Sequence, residues 1–281
     1  DPKMDFVFKN IFGSEKHPNI LISFLNATLK PKDLITAVEI KNTDLNKGYI
    51  EDKFSRLDVK ATTSNNEIIN IEIQLKNEYN MIKRSLFYWS KLYSEQLNEG
   101  EDYSVLKRTI CINILNFKYL KTRKFHSGYR LKEIYSNEEL TDVAEIHFIE
   151  IPKLEEGTDE KDMLVAWIEF LKNPESEKVR SLEMSIDEIR EAKDELIRMS
   201  NDDTQRELYE MRAKTLKDKI SALNEAERKG IKKGRQEGIK EGEKSKAIEI
   251  AKSLINIGLD KETISKSTGL DLNEVEKLMS K

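Results

Sequence analysis

Cysteine is nearly missing from this 281-residue sequence, with Cys111 the sole example. One thiol excludes an intrachain disulfide framework and a Cys/His zinc site, and it fits a reducing compartment. Cys111 lies in the apolar run "RTICINILNF" and reads as a small buried hydrophobe. Histidine is scarce as well. His17, His126 and His147 stand apart, without metal-ligand or triad spacing, and His147 in an apolar strand reads as structural. No apolar run approaches the ~20 residues that a membrane helix needs. No signal peptide is visible, and a start at "DPKMD" leaves room for a few residues before it. The expected location is cytoplasmic, with no membrane partner. There is no phosphate-cradling glycine loop, and no organic cofactor is expected. A surplus of positive charge is lacking too: the net charge is -4, so any nucleic-acid contact must use local patches.

What the chain does have is charge of both signs. Charged residues make up 36% and hydrophobic ones 38%, a balance that predicts a core domain followed by exposed helices. The order of elements agrees. "DFVFKNIFGSEKHPNILISFLNATL" reads as two short helices and "ITAVEIKN" as a strand. In "NMIKRSLFYWSKLYSEQLNEG", Ile82, Leu86, Trp89, Leu92 and Leu97 predict one helical face. "RTICINILNF" and "VAEIHFIEIPKL" read as strands, the first covered on both faces. "DMLVAWIEFLKNP" is a helix closed by Pro174. From residue 175 strand signals vanish, and long charged helices with narrow apolar stripes follow. Three parts are expected: 1–175, a helical extension over 176–243, and a small three-helix tail over 244–281.

The chemistry concentrates in "RLDVKATTSNNEIINIEIQLKN", residues 56–77, two strands around a polar turn. Alternation puts Glu72 and Gln74 on one face and Ile71 and Ile73 on the other. Asp58 and Lys60 likewise face opposite to Leu57 and Val59. Pairing the strands through "TTSNNE" sets Asp58 across from Glu72, ~4.5–5.5 Å apart at Cβ. Two carboxylates at that range repel unless a cation lies between them. Mg²⁺ or Mn²⁺ suits such a place, being held by one or two carboxylates with several waters retained. The bland alternative is the solvated face of an exposed hairpin.

These residues, with "DFVFKNIFG" before them and "KRSLFYWSKLYSEQLNEGEDYSVL" and "IHFIEIPKL" after, resemble the recombination-promoting nuclease (Rpn) family, also called PD-(D/E)XK nuclease family transposases. The resemblance covers roughly residues 1 to 240. It departs from the motif at Leu57, where a Pro would stand, and at Gln74, in place of a Lys; a lineage ending in E-x-Q is known. It implies an α/β, restriction-endonuclease-like core with a mixed sheet, followed by an all-helical C-terminal extension. It implies a metal-dependent DNA endonuclease linked to recombination, mobile DNA or phage defence. Asp58 and Glu72 would bind the metal, Asp5 on the first helix would complete its shell, and Gln74 would orient the attacking water or contact the phosphate. Because an amide carries no charge, Lys9, Lys60 or Arg84 would supply a cation. Arg84 and Tyr88, one helical turn apart, would face the cleft and touch a phosphate; the alternative places Tyr88 at the core edge and Arg84 on the surface. A catalytically inactive DNA- or protein-binding module is the other reading of the whole.

Two features of the tail stand apart from this. Gly230, Gly234, Gly238 and Gly242 recur every fourth residue, either a contact between two protomers or a loose linker. Residues 228–246 hold eight Lys or Arg against three Glu, so the stretch could lie along DNA. "ETISKSTGLDLNEVEKLM" resembles a helix-turn-helix, with Asp260 and Asp271 as N-caps and Ile264, Leu270 and Val275 in its core. Its second helix opens with Asp271, Glu274 and Glu276, which suits a protein contact or dimerisation better than phosphates. A homodimer through the tail is the expected assembly.

Overall fold

The computed structural model describes residues 1–41, 58–155, 157–158 and 162–280. Leu57, and the Asn42 end of the first predicted strand, lie outside them. Two compact units are present, Asp1–Ala213 and Lys214–Lys281.

The first unit is built on a six-stranded mixed sheet. Its strands are β1 (Val38–Lys41), β2 (Val59–Thr63), β3 (Ile68–Gln74), β4 (Thr109–Leu115), β5 (His126–Lys132) and β6 (Glu139–Glu150), in the order β1-β2-β3-β4-β6-β5. β3, β4 and β6 run parallel to their neighbours in the centre, and the flanking pairs are antiparallel. β4 is buried along its whole length, as its continuous apolar run demands. The strand β5 has no counterpart in the sequence reading. Five of its seven residues are exposed, so the edge strand has no buried face to leave a period-2 pattern.

One face of the sheet packs under α1 (Asp5–Phe12) and α2 (Pro18–Leu29), on which α4 (Met163–Lys172) and α6 (Asp187–Asn201) pack in turn. Phe8, Phe12, Phe24 and Trp167 are fully buried among them, and Phe12 meets Trp167 edge-on at 5.3 Å between centroids. The charged stretch over 177–201 is two helices: α5 (Glu177–Glu183) ends before Ile186, which is extended at the head of α6. α6 belongs to the first unit because it packs on α1, α2 and α4.

The crossover between β3 and β4 carries α3 (Met81–Ser94) over the other face. Its buried residues are Met81, Ser85, Tyr88 and Leu92, while Ile82 and Leu86 are 47% and 49% exposed. The predicted face is therefore turned by one position at Ile82 and Leu86, while Leu92 is buried as predicted. The sheet below α3 is itself polar, with Asn70, Glu72 and Asn113, and a polar match outweighs an apolar one there. Ser85 Oγ donates to Asn113 Oδ1 at 2.7 Å to satisfy it.

The second unit holds most of α7 (Asp203–Asn256), with α8 (Lys261–Thr268) and α9 (Leu272–Met279). Ala251, Ile264, Leu270 and Val275 form its core. Asp260 caps α8 by accepting from the Thr263 amide at 2.9 Å, and Asp271 and Glu274 form a capping box on α9. Gly269 makes the turn between them at φ 74°. All four repeat glycines lie inside α7, so that stretch is helix, not loose linker.

Candidate active site

β2 and β3 pair with Val59 opposite Ile71 and Lys60 opposite Asn70. One step further along this register, Asp58 is level with Glu72. Pleating puts Glu72 on the face under α3, with Val59, Ile71 and Ile73 pointing into the helical core on the other side, while Asp58 stands at the bend just before β2. The backbone N–H of Ile73 donates to Asp58 Oδ2 at 2.8 Å, which fixes the carboxylate at the mouth of the hairpin.

Glu72 is 2% exposed. Arg84, on the first turn of α3, donates from its guanidinium to Glu72 Oε2 at 3.3 Å and lies 3.7 Å from Glu78. Asn70, two residues back on the same face, is buried beside the Glu72 carboxylate and helps to lower its pKa against burial. Three buried polar atoms here have no partner among the described residues: Glu72 Oε1, Asn70 Oδ1 and Arg84 Nε. Buried polar atoms are normally satisfied, so three orphans around one carboxylate mark a place built for something more.

Electrostatics agree. Burial pushes Glu72 up to about 8, and the Asp58 charge adds to the push. Burial also raises Asp58 to about 7; Asp5 raises it further, against the Ile73 amide, Arg84 and Lys9. Two acids held in protonatable form near neutrality are a hallmark of functional carboxylates. The donor set fits a hard cation: carboxylate oxygens, one of them orphaned, with an amide oxygen beside it. Among the described residues no three His, Cys, Asp or Glu side chains form a ready-made cage. A magnesium-type ion that keeps most of its waters does not need one.

The other sequence candidates fall into place unevenly. Lys9 and Asp5, on α1, act on Asp58 through their charges. Asp5 is otherwise engaged, with Oδ1 accepting its neighbour's amide and Oδ2 3.2 Å from Arg212. Gln74 ends β3 half-buried on the Glu72 face, and its carbonyl accepts from the Asn116 amide at 2.9 Å. Lys60 is directed elsewhere, to Glu95 at 3.5 Å. Tyr88 is 7% exposed and packs with Leu92 and Cys111, so the core-edge alternative describes it, and its ring underlies the Arg84 guanidinium at 5.3 Å. Cys111 is buried, its thiol pushed up to about 12 by desolvation.

Asn70 and Asn113 went unread in the sequence. Their signal was weak but present: two amides inside runs of isoleucine, one two residues from Glu72, the other opposite it in β4. The histidines also differ from their reading as scattered. His126 Nε2 and His147 Nδ1 meet at 2.8 Å, and His147 Nε2 meets Glu145 Oε1 at 2.6 Å. Arg108 and Arg130 bind the other Glu145 oxygen, and these partners hold its carboxyl down to about 2 against the cost of burial. Gly128 makes room, since a Cβ there would stand 3.0 Å from the His147 ring. This chain ties β5 to β6 away from the acidic pair.

A mixed sheet with a helix-covered hairpin carrying paired acids defines a restriction-endonuclease-like α/β protein. The sequence matches the PD-(D/E)XK nuclease family transposases over residues 2–226, and the chain belongs to that family. Residues 244–280 match the C-terminal HTH domain of the Rpn/YhgA-like nuclease family. No curated protein and no solved structure matches the chain significantly. No helix among the described residues is long and apolar enough to cross a membrane.

Proposed function

We propose that the chain is a Mg²⁺- or Mn²⁺-dependent DNA endonuclease that hydrolyses phosphodiester bonds, with Asp58 and Glu72 as the metal-holding pair. The observation that carries the reading is a pair of acids with raised pKa, Asp58 bound to the amide next to Glu72 and Glu72 with an unpartnered oxygen. A bound divalent ion supplies polarisation of the phosphate and a more acidic water. The protein does the rest. The Ile73 amide aims Asp58, and Arg84 holds Glu72 from the other side. Gln74, at the open end of β3, offers a neutral amide that can orient a water but cannot offset charge. Arg84 and Lys9 are the cations whose charges act on the pair, so they take the place of the missing lysine. The tail serves homodimerisation, and family membership points the activity toward recombination, mobile DNA or phage defence.

A second reading, a nuclease-like binding module without catalysis, draws on Arg84. That guanidinium already counters Glu72 without a metal. A plasmid-nicking assay separates the two. Mg²⁺-dependent nicking by the intact chain, lost in both Asp58→Ala and Glu72→Ala, is the expected result. Nicking that survives both substitutions rejects these ligands, and no nicking of any DNA by the intact chain favours the module.

A further inference from the structure

We infer that the loop between β4 and β5, residues 116–125, is a built binding surface for the phosphate backbone of duplex DNA beside the acidic pair. This rests on the nuclease reading and adds the part of the molecule that would hold the substrate. The loop reads "NFKYLKTRKF", four cations and no acid in a chain whose net charge is -4. Lys118, Lys121, Arg123 and Lys124 are all exposed, and none of the four is ion-paired among the described residues. Elsewhere in this unit the arginines near acids are paired, as Arg84, Arg108 and Arg130 are. Four like charges left uncompensated on ten residues repel one another, so something must hold the loop in shape.

That device is a buried ion pair. Glu150 is fully buried at the end of β6, with Lys153 Nζ 2.5 Å from its Oε2. Lys153 spends its two remaining donors on loop carbonyls, Leu120 at 2.7 Å and Thr122 at 2.8 Å. Glu150 Oε1 accepts from the amides of Tyr119 and Leu120. The Glu150 amide in turn donates to the Phe125 carbonyl at 2.7 Å. A buried charge pair is a poor source of stability but a good source of fixed geometry when every donor and acceptor is used. Here all its outer bonds go to the backbone of one cationic loop.

Position gives the purpose. Leu115, the last residue of β4, pairs with Gln74, the last residue of β3, and the Asn116 amide donates to the Gln74 carbonyl. The loop thus leaves the sheet one strand from Glu72, at the end where Gln74 opens to solvent. Phe117, Tyr119 and Leu120 pack down on Met81, the first residue of α3, and on Leu115 and Phe148, which turns the lysines outward. Adjacent strands are ~4.8 Å apart, so the cations begin within a phosphate or two of the acids along a DNA strand.

The test is duplex binding as a function of salt, read by fluorescence anisotropy in EDTA so that nothing is cut. The intact chain is compared with K118Q/K121Q/R123Q/K124Q and with a charge-matched control on the same unit, K16Q/K32Q/K107Q/K132Q; thermal melts check that both fold. The loop variant is expected to lose about tenfold or more in affinity and to flatten the slope of log K against log salt by about 2 to 4, with the control far less affected. Equal losses in the two variants, or none in the loop variant, overturn the assignment. An intact chain that binds no duplex overturns it as well. Duplex binding through the loop by a chain that never nicks DNA in Mg²⁺ leaves the loop in place and removes the nuclease reading.

Discussion

At the residue scale, Glu72 shows how much strain the hairpin tolerates. Its carboxyl, ordinarily near 4.5, is raised to about 8 by burial and by Asp58. A carboxyl whose folded pKa is raised draws stability from its proton that is fully present below about 4.5 and lost as pH rises through about 8. The metal-free protein should therefore weaken across that window. Glu72→Gln removes the titration and should stabilise the EDTA-treated chain by about 2 kcal/mol near pH 9, with little effect near pH 5. Urea melts at the two pH values check this, and a variant less stable than the parent near pH 9 would contradict it. Mg²⁺ should narrow the gap from the other side by stabilising only the parent. The acidic pair was legible because two alternating strands and one turn fix a register. The partners of Glu72 were less so. Asn70 follows from the same alternation, but Arg84 reaches it across a helix-to-sheet contact that no local period encodes. The histidine chain was illegible for a similar reason: His126 and His147 meet only because an unread strand pairs them.

At the element scale, α3 separates what pattern can say from what the partner surface decides. The sequence stripe through Ile82 and Leu86 is the more apolar one, yet the buried stripe runs through Met81, Ser85, Tyr88 and Leu92. Helical period was readable; rotation about the axis was not, because the sheet face beneath carries Asn70, Glu72 and Asn113. The difference has a direct consequence. Met81→Ala, at a site packed on Leu115 and Phe148, should cost about 2–4 kcal/mol. Leu86→Gln should stay within about 0.5 kcal/mol, since it changes a surface position. Denaturant unfolding of the two variants decides between the faces, and the reverse order would restore the sequence stripe. The helix N-caps, in contrast, were legible to the residue, since Asp260 and Asp271 act on amides three positions on. The strand β5 was missed because edge strands exposed on both faces carry neither alternation nor an apolar run.

At the scale of the whole molecule, the tail bears a conformational cost. Four glycines inside α7 each cost about 1 kcal/mol relative to alanine. Apart from the adjoining turns of α7, no heavy atom of the described residues lies within 4 Å of where a Cβ would stand on any of them, so no packing among the described residues requires their absence of a side chain. The requirement must then be conformational or intermolecular, and the spacing of four favours the second: it lines the glycines along one side, where a second backbone could approach closely. On the homodimer proposal, replacing all four by alanine should have opposite effects on the two states. The isolated helix gains, so helicity and melting temperature at low protein concentration rise. The dimer loses its close contact, so its dissociation constant in sedimentation equilibrium increases by tenfold or more, about 1.4 kcal/mol. A variant that is both more helical and as dimeric as the parent would show that the partner, if any, meets another side of α7. Acidic α9 bears on the same choice. Glu274 is held by Lys244 at the end of the basic glycine stretch, and Glu276 by Lys261. With its acids turned to lysines of its own unit, the second helix of the HTH is neutralised from within, so a lysine exchange at Lys244 or Lys261 would expose those acids to whatever the tail meets.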